Sequence, residues 1–401
     1  MKVIFIGSVL PEEECGRYKG YSTAGNKMQL GLLSGLKRFL NINDLIVLSY
    51  YPIASYPIEK IIFIKKHIFD CEIGRIISIP FINIQFLKIL TQQISFFITL
   101  LSQVLRLDKR KTVILTYNAF IEISWPAKII SKIFNIPIFC LLADLPLPSI
   151  KYRGFKKIFS VFFFYATRLA IKNYAGLIVL NKNAQQFYAS NLPYLNIHGG
   201  INPGDYESIS SNNEIIDLPT KERKILYVGS LIEYNGIETL LNAFHKIESK
   251  NLTLHIFGDG PMKTLVEHYS KIDDRIIYNG LMHNKSILLM QRKVDFLINA
   301  RPINSFISKV TFPSKILEYL MSGTPVLSTR LDCLLNEYGQ WLNFIGDDPI
   351  TMSSDIFSIV NSDYKALKTK AIKAREAIQE SKNWNYQAKR VLNFISSSAR
   401  N

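Results

Sequence analysis

The chain has 401 residues, of which 48% are hydrophobic, and it carries 48 Lys+Arg against 32 Asp+Glu for a formal net charge of +16. That length favours two domains over one, and the balance of apolar to charged residues excludes a disordered or collagen-like chain. Cys15, Cys71, Cys140 and Cys333 are scattered without a CxxC pair, and the six histidines show neither HExxH nor HxH spacing, so no disulfide scaffold, structural zinc or other metal site is readable.

The charge is uneven. Residues 1–200 hold 24 Lys+Arg and 10 Asp+Glu, a net of +14, whereas residues 201–401 hold 24 and 22, a net of +2. A basic half beside a near-neutral half points to an anionic partner for the first half, either nucleic acid or an anionic membrane.

In chain order, Met1-Lys2 leads directly into the apolar run Val3 to Ile6, too short for a signal-peptide core. Apolar, β-branched runs then recur at 2–7, 45–50, 113–117, 136–142 and 177–180, and again at 224–228, 252–257, 276–278, 295–298, 325–328 and 342–345. Runs of this kind read as parallel strands buried on both faces. Helical patterns intervene, for example at 26–40, 237–247, 262–269 and 315–321, and a long one occupies 364–398. Residues 86–105 are the most apolar stretch, but Lys88, Gln92, Gln93, Ser95, Ser102 and Gln103 fall largely on one face. They predict an amphipathic helix with a polar face rather than a membrane span. Strand–helix alternation in both halves predicts an α/β chain of two doubly wound, Rossmann-like domains. The turn-rich stretch 198–205 marks the seam between residues 1–203 and 204–384.

In open parallel sheets, ligands bind beyond the carboxyl ends of the strands. Those positions carry Gly229-Ser230, Gly258-Asp259-Gly260-Pro261 and Asn299-Ala300-Arg301. Glycines there let backbone N–H groups approach a phosphate, although any single one is equally a tight turn. The sharpest motif runs from Thr311 to Val326. Pro313 suits the first turn of a helix. The free N–H groups of that turn, with Ser314 and Lys315, form an anion site. Glu318 follows Ser314 by one turn, where its carboxylate is placed to accept hydrogen bonds from a ribose diol. Phosphate at the helix start and ribose one turn later is the geometry of a nucleoside diphosphate; a capped surface helix with a solvated Glu is the plainer alternative.

The strings YVGSL (227–231), GIETLLNAF (236–244), HIFGDGP (255–261), NGL (279–281) and FPSKILEY with GTPV (312–326) resemble the GT-B glycosyltransferases, most of all the retaining enzymes of glycosyltransferase family 4. The second half carries the resemblance strongly and the first half weakly. It implies two Rossmann-like domains facing a central cleft, with a helix at about 385–401 packing back on the first. It also implies a hexosyl- or related transferase that takes a nucleotide-diphosphate sugar as substrate and needs no cofactor. Glu318 matches the second Glu of the family's Glu–seven residues–Glu pattern, the ribose holder, while the first falls at Val310. The family's basic pair for the diphosphate falls at Ser230 and Asn235. Arg301 and Lys315 are the candidates to replace that charge, with Lys309 as a third, because a diphosphate in a partly desolvated cleft needs compensation and Arg binds it in a fork. Gly7 and Ser8 match the family's first strand end, and Gly199 and Gly200 its glycine pair at the seam; both belong to the acceptor side. Asp144, after the run ending at Leu142, is the candidate to orient or deprotonate an acceptor hydroxyl, with a turn-capping Asp as the alternative. No metal-binding DxD is present, in keeping with a leaving diphosphate stabilised by protein donors.

From Leu145 through Gly204 there is no Asp or Glu, and Lys151, Arg153, Lys156 and Lys157 precede a run rich in Phe and Tyr. Basic residues interleaved with aromatics suit an anionic bilayer surface. The leading expectation is therefore a cytoplasmic transferase, peripheral on the inner face of the cell membrane, with a lipid-linked or glycan acceptor in surface polysaccharide biosynthesis. A catalytically impaired sugar-nucleotide-binding homologue is the alternative. A sugar-nucleotide epimerase or a nucleic-acid binder is less favoured, since neither acid/base histidines nor a nucleic-acid module is evident.

Overall fold

The structure, a computed structural model, describes residues 1–14, 17–145, 153–188, 191–207 and 222–399. Met1–Gly200 and Trp384–Asn401 together form one unit, and Ile201–Asn383 forms a second.

In the first unit the strands are β1 (Lys2–Gly7), β2 (Leu45–Ser49), β3 (Phe63–Ile64), β4 (His67–Cys71), β5 (Gly74–Ser78), β6 (Phe81–Ile82), β7 (Thr112–Tyr117), β8 (Ile138–Leu142), β9 (Gly176–Val179) and β10 (Tyr194–Asn196). The helices are α1 (Thr23–Lys37), α2 (Leu87–Val104), α3 (Ile121–Phe134), α4 (Phe155–Ile171) and α5 (Lys182–Tyr188). Eight strands make one sheet in the order β10-β9-β8-β7-β1-β2-β5-β4, parallel except for the β4–β5 hairpin. Val3, Ile4, Phe5 and Ile6 are wholly buried, as a central strand covered by helices on both faces requires. The strand order turns back between β1 and β7. That switch point puts the β1 end (Gly7, Ser8) beside the β7 end (Tyr117, Asn118), where α/β sheets take their ligands.

The second unit contains α6 (Gly204–Glu207), β11 (Arg223–Val228), α7 (Ile237–His245), β12 (Leu252–Phe257), α8 (Lys263–Ile272), β13 (Ile276–Tyr278), α9 (Asn284–Lys293), β14 (Phe296–Asn299), α10 (Phe306–Val310), α11 (Lys315–Ser322), β15 (Val326–Thr329), α12 (Asp332–Tyr338), β16 (Asn343–Ile345), α13 (Pro349–Val360) and α14 (Tyr364–Ser381). Its sheet is wholly parallel, in the order β13-β12-β11-β14-β15-β16. Here the switch point lies between β11 and β14, so the residues after Val228 and after Asn299 line the same crevice of this unit.

Two predicted helices differ from the structure in an informative way. The pattern at 364–398 is two helices, because the chain breaks at Lys382-Asn383 before α15 (Trp384–Ser398) packs on α1 of the first unit. Asn383 caps the break by donating to the Gln379 and Glu380 carbonyls, both at 3.0 Å. Trp384 enters a slot over Gly31, Gly35 and Gly200, where a Cβ on any of the three would overlap it. The helix at 86–105 forms as α2, and among the described residues no helix is long and apolar enough to cross a membrane. Its polar face is not the outward one, however. Gln92 is buried, the Lys88 ammonium is held by the Ile53 carbonyl, and Leu90, Ile94 and Ile98 point to solvent.

Candidate functional site

In the second unit the βα turns are built from backbone pairing. After β11, Gly229 donates to Phe257 O at 3.1 Å and Leu231 to Asp259 O at 2.9 Å. After β12, Gly258 and Gly260 take φ of 150° and 154°. A Cβ on Gly258 would overlap the Gly229 carbonyl oxygen, and one on Gly260 the Leu231 backbone, so the two turns touch through glycine alone. Tyr278 donates to Gly258 O at 2.9 Å and fixes the second turn from β13.

Arg301, two residues past the β14 end, reaches across the switch point. Its Nε donates to Asn235 Oδ1 at 3.2 Å and its guanidinium NH1 to Thr311 Oγ1 at 3.1 Å. Asn235 in turn donates to Ser230 O at 2.8 Å. The cation therefore stands beside Ser230 and Asn235, the two positions onto which the resemblance maps the family's basic pair. Burial lowers the Arg301 pKa from its usual value, moderated by Tyr234 and Tyr227. An arginine starts so far above neutrality that it stays charged, here in a desolvated setting that strengthens its pull on an anion.

The helix carrying the sharpest motif is pinned to the sheet by Tyr319. Its hydroxyl accepts from Val228 N at 3.0 Å and donates to Val228 O at 3.1 Å, joining α11 to the β11 end. Pro313 precedes α11 rather than opening it: Ser314 is the N-cap and makes no side-chain cap bond, while Ile316 donates to Pro313 O at 2.9 Å. Lys315 and Glu318 lie on one face and form an ion pair at 2.6 Å. Val310, onto which the resemblance maps the family's first Glu, is buried apolar in α10, and Lys309 beside it is exposed.

The first unit brings together more groups than its sequence shows. Asn118 has φ of 59°, a conformation asparagine tolerates better than most residues. Its Oδ1 accepts from Ala143 N and Asp144 N, both at 2.8 Å, and its Nδ2 donates to Asp144 Oδ2 at 3.1 Å. Asp144 is exposed. Partial desolvation of its carboxyl raises the pKa, and the Asn118 hydrogen bond offsets part of the rise. Glu122, at the start of α3, is also raised by burial, against the pull of Lys88. Tyr50 and Tyr117 are buried within range of Asp144, and each is raised chiefly by desolvation. On the β1 side, Gln29 of α1 accepts from Ser8 N at 2.9 Å and donates to Ser8 Oγ at 3.2 Å. Gly7 lacks a side chain because a Cβ there would overlap the Gln29 amide. Gly199 takes φ of 100°, whereas Gly200 is the floor of the Trp384 slot.

Of the basic residues after Asp144, Arg153 and Lys157 are exposed, while Lys151 and the Lys156 side chain lie outside the described residues. Among the described residues no group of three or more His, Cys, Asp and Glu is placed to hold a metal ion. Sequence patterns missed Asn118, Glu122, Tyr50 and the Asn235–Arg301 link. The one available signal was the position of Asn118 directly after an apolar strand run.

The two doubly wound units are those of the GT-B fold. Solved structures with the same architecture include sucrose-phosphate synthase from Thermosynechococcus elongatus (TM-score 0.67, 16% identity, 99% of each chain covered). They include α,α-trehalose 6-phosphate synthase from Burkholderia multivorans (TM-score 0.66, 9% identity, 100% of this chain and 99% of that one). A third is HepE from Anabaena in complex with UDP (TM-score 0.61, 13% identity, 99% of this chain and 100% of that one). Within the second unit, residues 222–349 match the family model of glycosyl transferases, group 1. An uncharacterized glycosyltransferase of Methanocaldococcus jannaschii is 26% identical over 211 residues, 49% of this chain and 52% of that protein. The match thus spans about half the length of the curated relative.

Proposed function

We propose that the protein is a glycosyltransferase that moves a sugar, with retention, from a nucleotide-diphosphate sugar to a hydroxyl of a lipid-linked or polysaccharide acceptor. The observation that carries this reading is Arg301 at the β11/β14 switch point, held by Asn235 and Thr311 at the positions onto which the resemblance maps the family's basic pair. There a fixed, desolvated cation neutralises the charge that develops on a leaving diphosphate. Lys315 adds a second positive charge at the start of α11, and Glu318 takes the ribose hydroxyls, breaking their mutual ion pair. The turns at Gly229-Ser230 and Gly258–Gly260, whose glycine N–H groups pair within the protein, leave room for the donor, and the first-turn N–H groups that follow Ser314 meet its phosphates. In the first unit, Asp144 orients or deprotonates the acceptor hydroxyl, with Gly7, Ser8 and Gly199 also assigned to the acceptor side. The Anabaena relative is known in complex with UDP and with UDP-glucose, which makes uridine nucleotides the first donors to try. The basic first half suits work at the inner face of a cell membrane, in surface polysaccharide assembly.

A specific observation favours a second reading. Val310 is buried and apolar, and Ser230 and Asn235 are uncharged, so a homologue that binds the nucleotide sugar without transferring it is the alternative. A thermal-shift panel with UDP, GDP, ADP, CMP and their sugar conjugates tests donor binding. A ligand at 100 times its Kd stabilises by about 2.7 kcal/mol, and a selective shift with one base supports the donor site. No shift with any nucleotide overturns both readings. Selective binding without slow donor hydrolysis or transfer leaves the second.

A further inference from the structure

The three helices α2, α3 and α4 pack side by side on the first unit, with α3 in the middle over β7 and β8. Their inner faces are ordinary core, with Phe96, Leu100, Ile123, Ile130 and Ile171 buried. Their outer faces are not the polar faces that helices normally turn to water. On α2, Leu90, Ile94 and Ile98 are exposed at four-residue spacing, Ile98 by 60%. On α3 the exposed apolar residues are Ile129 and Ile133, the latter by 61%. On α4 they are Ile158, Phe159, Phe162, Tyr165 and Leu169, between 41% and 65% exposed. The α2 and α4 stripes meet, because Phe86 at the α2 N-cap lies 5.5 Å from Phe159, ring centre to ring centre. A continuous apolar face of this size marks an interaction surface.

The charges select the partner. Neither α2 nor α4 contains an Asp or Glu, and the one acid of α3 is Glu122, which faces inward against Lys88. The exposed charges of the layer are cations. Lys157, Arg168 and Lys172 share one flank of α4 at helical spacing, and Lys132 lies on α3. A second copy of this face would bring cation against cation. A surface with an apolar interior and an anionic skin matches it on both counts. The layer also has a direction. Helices that lead into parallel strands begin at the carboxyl edge of the sheet, so Phe86 and Phe159 lie at the edge where Asn118 and Asp144 lie.

We propose that the outer face of α2, α3 and α4 docks on an anionic lipid bilayer, the Phe86–Phe159 end entering the acyl boundary and the α4 cations meeting the headgroups. This deepens the membrane location in the proposed function and does not depend on the donor chemistry. An acceptor carried on a lipid would then be presented at the carboxylate end of the first unit.

The test is co-sedimentation of the full chain with phosphatidylcholine vesicles, with and without phosphatidylglycerol. Wild type binds the phosphatidylglycerol vesicles and releases in high salt. Lys157→Gln with Arg168→Gln lowers vesicle affinity by about thirtyfold, from roughly 1 kcal/mol per cation, and Leu90→Glu with Phe162→Glu abolishes it. Both variants keep the wild-type circular dichroism spectrum and cooperative thermal melt, which shows that they fold. Wild type that binds no anionic vesicle overturns the membrane location as well as this surface. Variants that bind like wild type overturn this surface and leave the location standing. A dimer in solution that Phe162→Glu disperses assigns the face to a second copy and overturns the proposal.

Discussion

Asn118 holds Asp144 by backbone and side chain at once. Its carbonyl oxygen takes the Asp144 amide at 2.8 Å and its amide nitrogen gives to the Asp144 carboxyl at 3.1 Å. A carboxylate acting as a base works deprotonated, so activity rises with pH through its pKa. Desolvation raises that pKa, and the Asn118 bond pulls it part of the way back. Asn118→Gly keeps the backbone conformation and removes the bond, so the acid limb of the pH–rate profile moves further up. An unmoved limb with lowered kcat at all pH values would mean that Asn118 only builds the turn.

Arg301→Ala lowers UDP affinity by roughly 10- to 100-fold, from about 1.5–3 kcal/mol for hydrogen bonds to a charged group. Affinity for uridine is unchanged. Arg301→Lys recovers part of the loss, since a point charge replaces the fork without its two-toothed geometry. Calorimetric titration with the two ligands separates the phosphate contribution from base and ribose. Normal UDP binding by both Arg301→Ala and Lys315→Ala would move the diphosphate to another cation.

Glu318→Ala leaves the fold nearly intact, because the Lys315–Glu318 pair keeps about a third of each side chain exposed and such pairs contribute at most about 1 kcal/mol. Its effect falls on the donor. Wild type prefers UDP to 2′-deoxy-UDP, and the variant binds both alike. Discrimination that survives in the variant removes the ribose role.

Asp273 links α8 to β13. Burial alone would raise its pKa, but hydrogen bonds from Arg275 and His245 overcome it and hold the carboxyl at about 2. A depressed native pKa stabilises the fold above the unfolded value, near 4, and that stability is lost as pH falls toward 2. Asp273→Asn therefore costs about 2 kcal/mol at neutral pH and flattens the acid side of the denaturation curve. Urea melts of the two proteins between pH 2 and pH 7 check the slope.

Much of the architecture was legible because buried parallel strands write themselves as apolar runs. The β11 and β12 runs, at 224–228 and 252–257, lie within the strands themselves. The motif at 311–326 was legible for a different reason: Pro313, Gly323 and Pro325 mark chain turns by backbone chemistry that any context preserves. Asn118 was not, since its role depends on a loop 25 residues further along the chain. The break at Lys382-Asn383 is absent from the local pattern because nothing local forbids helix there, and only the resemblance set apart a helix at about 385–401; what the break serves is the slot over Gly31, Gly35 and Gly200. The outward face of α2 was misread because Gln92 satisfies the helical polar pattern yet is buried, and periodicity alone does not say which face meets water.

The Trp384 slot bears on how the protein is made. Residues 1–200 emerge from the ribosome well before α15, yet their α1 face is shaped for an indole that does not yet exist. The intervening 201–383 is contiguous in sequence, and domains of that kind fold as units during synthesis. The first unit must therefore wait, its glycine-lined groove open, until residue 384 has been translated. A ribosome that stalls short of it leaves that groove unfilled for chaperones and proteases to find.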